Sequence, residues 1–186
     1  MSGHIEPPEG GNKKIALLIA VLALLLALSE IGGKQAQNES IANNIDASNL
    51  WAFFQAKTIR GTTLRTAVEA MEIDLAAAAD PAAKERMAKR IEGWRATIVR
   101  YDSEPETNEG RKELMVRAKA KEKSRDDYKA KDENFEIASG LLQIGIVVAS
   151  ASIITGVTAL ALVGGGLGVG AVVMMGLALF APHFLF

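Results

Sequence analysis

The residues able to do chemistry are few and scattered. The chain has no cysteine, which excludes disulfides, thiolate metal sites and cysteine nucleophiles. Its two histidines, His4 and His183, stand at opposite ends, so they form no histidine triad or metal cluster within one chain and read as incidental terminal residues. Glu104 and Glu106 flank Pro105 in a turn-like run, with nothing nearby to fix them as an acid–base pair. Gly164-Gly165-Gly166 lacks the Lys, Ser or Thr that a phosphate-binding loop needs. No catalytic, cofactor-binding or metal residue is therefore expected. The densest mixture of aromatic and polar character is Trp51, Phe53, Phe54, Gln55, Lys57 and Arg60. One helix does not bury three aromatics on a single narrow face. Part of this set, Trp51 and Phe54 first, is thus open to contact with another subunit as well as to ordinary packing.

The elements carrying these residues follow from a segregation of polarity. From Ile137 to Phe186 there are fifty residues without Asp, Glu, Lys or Arg, whereas nineteen of the 21 Lys and Arg lie between Lys34 and Lys131. Ile15 to Leu28 is an unbroken apolar run, roughly 21 Å long as a helix and nearly enough to cross a hydrocarbon core with flanking Lys13, Lys14, Glu30 and Lys34 reaching for water. A cleavable signal ending near Ser29 is the rival reading. The uncharged C-terminal stretch, roughly 75 Å as one helix, must fold back. The triple glycine predicts the turn. The chain thus reads as an N-terminal tail (1–13), a first span (14–31), an extramembrane helical segment (32–136), a second span (137–163) and a third (167–185).

Within the spans, small residues recur four apart: Gly145 with Ala149, Ser152 with Gly156, Gly164 with Gly168, and Gly166 with Gly170. Such spacing lets helices approach closely in lipid, either within the chain or between copies. Gln143 is positioned to hydrogen-bond across a helix interface. Gln143, Gly145, Gly156, Gly166 and Gly170 are accordingly packing or oligomer contacts.

The extramembrane segment predicts three helices, at about 34–79, 81–101 and 111–136. Ile41 and Ile45 form an apolar pair early in the first. Leu64, Val68, Met71 and Leu75 form a heptad-like stripe later in it. Asp80-Pro81 breaks the chain and starts a helix striped by Met87, Ile91, Trp94, Ile98 and Tyr101. The third helix is strongly charged, with a weaker stripe of Leu114, Ala118, Tyr128 and Phe135, and runs into the second span. The first helix is roughly 69 Å long and the other two sum to about the same, so an antiparallel coiled-coil-like hairpin with an interrupted returning arm closes the segment. The fold class expected is an all-α membrane protein with three transmembrane helices and that hairpin between the first and second. Asn and Gln at seam positions suggest a homo-oligomer.

Net charge is −1, and the basic run at 111–131 is interleaved with Asp126, Asp127, Asp132 and Glu133. That describes a solvated face rather than a nucleic-acid site. Lys13 and Lys14 on one side of the first span are outnumbered by Lys34 and the cluster from Lys119 to Lys131, which places the helical segment in the cytoplasm.

Three stretches carry a resemblance: Glu6-Pro7-Pro8-Glu9-Gly10-Gly11-Asn12-Lys13-Lys14, Ala47-Ser48-Asn49-Leu50-Trp51-Ala52-Phe53-Phe54-Gln55-Ala56-Lys57-Thr58-Ile59-Arg60, and Leu141-Leu142-Gln143-Ile144-Gly145-Ile146-Val147-Val148-Ala149-Ser150. The chain resembles a family of uncharacterised bacterial membrane proteins, domain of unknown function 4337, over nearly its whole length. The resemblance implies a three-span protein of the bacterial inner membrane and brings no activity, cofactor or catalytic residue. The expected function is a non-catalytic, self-associating scaffold whose partners are the bilayer, copies of itself and an unidentified membrane protein. A pore and an accessory subunit of a membrane enzyme or transporter are the alternatives.

Overall fold

The computed structural model describes residues 10–185; His4 and most of the expected N-terminal tail lie outside them. Four α-helices account for nearly all of it: α1 (Gly10–Ala77), α2 (Pro81–Asp102), α3 (Arg111–Thr155) and α4 (Thr158–Phe180), followed by a 3-10 turn at Pro182–Phe184. There is no strand among the described residues. Helices α1, α3 and α4 are each long and apolar enough to cross a membrane. The chain divides into two compact units, one formed by the chain up to Ile41 with residues from Arg125 on, the other by Ala42–Ser124.

Two boundaries differ from expectation. Gly32-Gly33 does not separate a span from a second helix, because α1 runs unbroken through it. The phenyl ring of Phe135 lies over Gly32, where any Cβ would stand 2.7 Å from the ring, and Phe135 Cβ crowds Gly33. These glycines admit a neighbour instead of ending a helix. The triple glycine is likewise no turn: it lies inside α4. The turn falls at Gly156-Val157, where Gly156 takes φ +72 and donates its N–H to Ser152 O. Ser152 Oγ donates to Val157 O at 2.9 Å, and Thr155 Oγ1 accepts from Val157 N at 3.3 Å. A helix end in apolar surroundings must satisfy its freed backbone groups locally. Hydroxyls flank Gly156, and none flanks 164–166.

In the first unit, α1 and α4 run parallel and α3 antiparallel to both. The core is Leu22, Ala138, Leu142 and Ala171. Helices α3 and α4 approach through glycine: a Cβ at Gly164 would stand 2.7 Å from Gly145 O and 3.0 Å from Ala149 Cβ. Leu22 of α1 fills the notch left at Gly168. Buried Ser29 donates to Phe135 O at 3.0 Å and accepts from Ser139 Oγ at 3.1 Å.

In the second unit, α2 and the first part of α3 lie antiparallel to successive stretches of α1. The side chains of α1 facing them are Asn43, Ala47, Leu50, Phe54, Lys57, Gly61, Leu64, Val68, Met71 and Leu75, all buried or half-buried and spaced alternately 4 and 3. The spacing continues without slip from Leu22, Leu26, Ser29, Gly33, Ala36 and Ser40 of the first unit. Ile41 and Ile45 are off this seam and more than half exposed, so the expected apolar pair does not pack within the chain. On α2, Ile91 is buried and Met87, Trp94, Ile98 and Tyr101 are half-buried. Asp80 caps α2, accepting from Ala82 N and Ala83 N at 3.0 and 3.1 Å.

Overpacking a close helix crossing costs about 1–3 kcal/mol. Gly164→Ala is expected to lower thermal stability in detergent by that order. Gly166→Ala, with nothing within 4 Å of its Cβ position, is expected to leave it unchanged. Equal melting curves for the two variants would show that α3 and α4 do not meet at Gly164.

Candidate functional site

The richest cluster sits in the second unit, where α1 meets the segment between α2 and α3. The ammonium of Lys57 occupies the seam, its side chain only 6% exposed. It donates to Glu104 Oε2 at 3.3 Å and lies 3.9 Å from Glu109 Oε2. It is also 5.1 Å from the centre of the Phe53 ring and 5.8 Å from that of Tyr101. A buried charge is tolerated only when paired and hydrogen-bonded, and two carboxylates with two ring faces supply that environment. Next along α1, Phe54 lies under the Arg111 guanidinium at 5.1 Å and meets Trp51 edge to face, centroids 5.4 Å apart. Trp51 Nε1 donates to Glu122 Oε1 at 2.9 Å. Lys121 donates to Asn43 Oδ1 at 3.2 Å and pairs with Asp46 at 2.9 Å.

The three aromatics of this stretch therefore find partners within one chain. Each is only half-buried: Trp51 and Phe54 meet Glu122 and Arg111 of α3, and Phe53 meets Lys57 of α1 itself. Gln55 and Arg60 remain exposed.

The loop itself is held by Glu113, in the first turn of α3. Ser103 Oγ donates to Glu113 Oε1 at 2.6 Å, and Glu104 N donates to Glu113 Oε2 at 3.1 Å. These bonds, the Ser103 hydroxyl first, hold the Glu113 carboxyl below the usual range. Gly110 is buried because Glu113, Glu104 and Ser103 occupy the place of any side chain there. Asn108 turns the chain at φ 56.

The other expected contact residues belong to the first unit. Gly145 packs against Gly164, Gly156 makes the turn, and a Cβ at Gly170 would stand 3.6 Å from Leu141 Cδ1. Gly166 and Gln143 lie on exposed faces, and Gln143 makes no hydrogen bond across the bundle among the described residues. His183, expected to be incidental, stands with Nε2 2.7 Å from Asp127 Oδ1. Buried Asn134 donates to Pro182 O at 2.9 Å, so the C-terminal turn is tied to α3 at two points. Close by on α3, burial, with Glu136 and Glu133 adding like charge, pushes the Asp132 carboxyl up.

Two of these residues were within reach of sequence reasoning. Lys57 stands seven residues after Leu50 and seven before Leu64, which places it on the seam. Ser29 stands seven after Leu22. No sequence signal marks Asn134, His183 or Gly110, whose partners come from other helices or from a loop.

Lysine, carboxylate and aromatic groups are here tied to one another, and no group of three or more metal-ligating side chains gathers among the described residues. Fold and site together define an all-helical protein with three helices able to cross a membrane, its polar side chains serving contacts between helices. The chain belongs to the family described as Domain of unknown function (DUF4337), whose model matches residues 11–181. Comparison with curated proteins and with solved structures returns no match.

Replacing a buried ion by an apolar group of similar size is often neutral, whereas removing its partner leaves a charge uncompensated. Lys57→Met is thus expected to shift stability by less than about 1 kcal/mol, and Glu104→Ala to cost about 1–3 kcal/mol, moderated by Glu109 and by the partial exposure of Glu104. Chemical denaturation of the two variants compares them directly. The lowered Glu113 pKa makes its contribution present above the unfolded carboxylate value and lost as pH falls through the folded one. Glu113→Gln should flatten that part of the acid limb in a melting-temperature titration. An unchanged limb would mean Glu113 does not hold the loop.

Proposed function

We propose that the chain is a non-catalytic scaffold of the bacterial inner membrane, anchored by three spans and self-associating. Its extramembrane segment is a coiled-coil-like antiparallel hairpin on the cytoplasmic side. The observation that carries this reading is the employment of its polar side chains. Lys57, Lys121, Trp51 and Glu113 are the groups that chemistry would call on, and each is engaged in joining one helix or loop to another. A site that binds or converts a small molecule needs such groups convergent on a cleft and unspent.

The positive charge clustered between Lys119 and Lys131 supports the cytoplasmic assignment. A pore draws less support. Of the hydroxyls that a polar conduit would require, Ser150 donates to Ile146 O and Thr155 to Ala151 O, each within its own helix.

Extraction in native-lipid particles is expected to yield an assembly of identical chains without a stoichiometric enzyme, and reconstituted bilayers to show no unitary conductance. A reporter fused at Pro105 should read as cytoplasmic. A monomer that copurifies with an enzyme in fixed ratio, or conductance steps, would replace this reading with one of its rivals.

A further inference from the structure

Self-association, as proposed above, requires a surface, and the polar residues on the inner seam of α1 near Asn43 are engaged inside the chain. Asn43 binds Lys121, and Ser40 binds Arg125 O. The opposite face of α1 in the second unit is different. At alternating spacings of 4 and 3 it presents Ile45, Asn49, Ala52, Ala56, Ile59, Thr63, Thr66, Ala70, Ile73 and Ala77. Ile45, Ile59 and Ile73 are 55%, 67% and 72% exposed and recur every fourteen residues. The seven charged side chains of α1 in this stretch all fall on other positions. Isolated exposed aliphatics such as Val99 and Val116 need no explanation. Three isoleucines in heptad register, on a face with no charge, do.

We infer that this face of α1 is the contact between two copies of the chain, packed in parallel and in register, Ile45 on Ile45, Ile59 on Ile59 and Ile73 on Ile73. The inference rests on the membrane-anchored reading, which decides the direction. Two copies inserted alike in one bilayer present their α1 helices parallel. A parallel two-fold pair sets each stripe residue against its own counterpart, and a charge-free stripe is compatible with itself in that arrangement. Area decides the strength. From Ile45 to Ala77 the stripe is roughly 50 Å long, and a contact strip about 10 Å wide covers roughly 500 Å² on each copy. The total of about 1,000 Å² only reaches the lower bound of a specific interface. Like charges at Glu69 and Asp74 border one end and weaken it further. Such a contact is weak between free molecules, and anchoring both copies in one membrane raises their effective concentration enough to populate it. A copy of the same chain is thus favoured over a soluble partner, which would lack that confinement.

The absence of native cysteine makes single-cysteine variants of the full chain clean probes. Disulfides form only where Cα atoms approach within about 7 Å. In isolated membranes under mild oxidant, Ile59→Cys, Thr66→Cys and Ile73→Cys are expected to give dimer in large excess over Lys89→Cys and Val99→Cys, which are equally exposed on α2. The doubly substituted Ile59→Glu, Ile73→Glu chain should keep its helical content and lose the dimer. Linkage no greater than at the α2 positions, or adducts of a mass other than twice the chain, overturns the inference. If the native-lipid assembly persists in the Ile59→Glu, Ile73→Glu chain, this face is not its contact and the scaffold reading stands. If the unmodified chain is monomeric, both fail.

Discussion

Helix α1 keeps one spacing, alternately 4 and 3, from Leu22 to Leu75, and in each unit it is the side chains at this spacing that meet the other helices. What changes along the seam is its chemistry. Leu22 and Leu26 pack against α3 and α4, in helices apolar enough to cross a membrane, where close fit is the attraction that lipid would leave to them. Ser29, Gly33, Ala36 and Ser40 are small and bring α3 near. Beyond Phe54 the seam holds Lys57 and then Leu64, Val68, Met71 and Leu75, where apolar burial in water supplies the stabilisation.

Several breaks from aliphatic character on the seam are met by a feature of the facing element. Gly32 and Gly33 admit Phe135. Ser29 is satisfied by a carbonyl and a hydroxyl of α3. Lys57 is met by Glu104 and Glu109 of the segment between α2 and α3. The loop between α2 and α3 is thus placed by a buried charge on α1 and closed on itself by Glu113. A buried pair of this kind contributes little net stability against an apolar substitute, and its value lies in register. Lys57 can be satisfied only if the loop reaches it, which discriminates against a sliding of α2 along the seam.

Lys57, Lys121, Trp51 and Glu113 each join one helix or loop to another. The family the chain belongs to is described as a domain of unknown function. Helix α1 offers its second face, with isoleucine at regular intervals, where the inner face has mixed and polar residues.

Much of this was legible in the amino-acid sequence. Block segregation of charge marked the three apolar helices, because a stretch of fifty residues without Asp, Glu, Lys or Arg holds helices long and apolar enough to cross a membrane. Asp80-Pro81 marked a helix start, since a cap and a fixed φ act locally. The stripe from Leu64 to Leu75 was visible because aliphatic residues announce a period. The same period was hidden upstream, where it passes through Ser29, Gly33, Asn43 and Lys57, and Ile41 and Ile45 drew the eye to the wrong face. What the tertiary structure alone decided is the use of each glycine. Gly156 turns the chain while Gly164-Gly165-Gly166 stays helical, because a turn needs neighbouring side chains to cap the freed backbone and a crossing needs only the absence of one. Spacing within a chain specifies which face a residue shares; only the neighbour laid against that face determines whether it is buried, paired or left open.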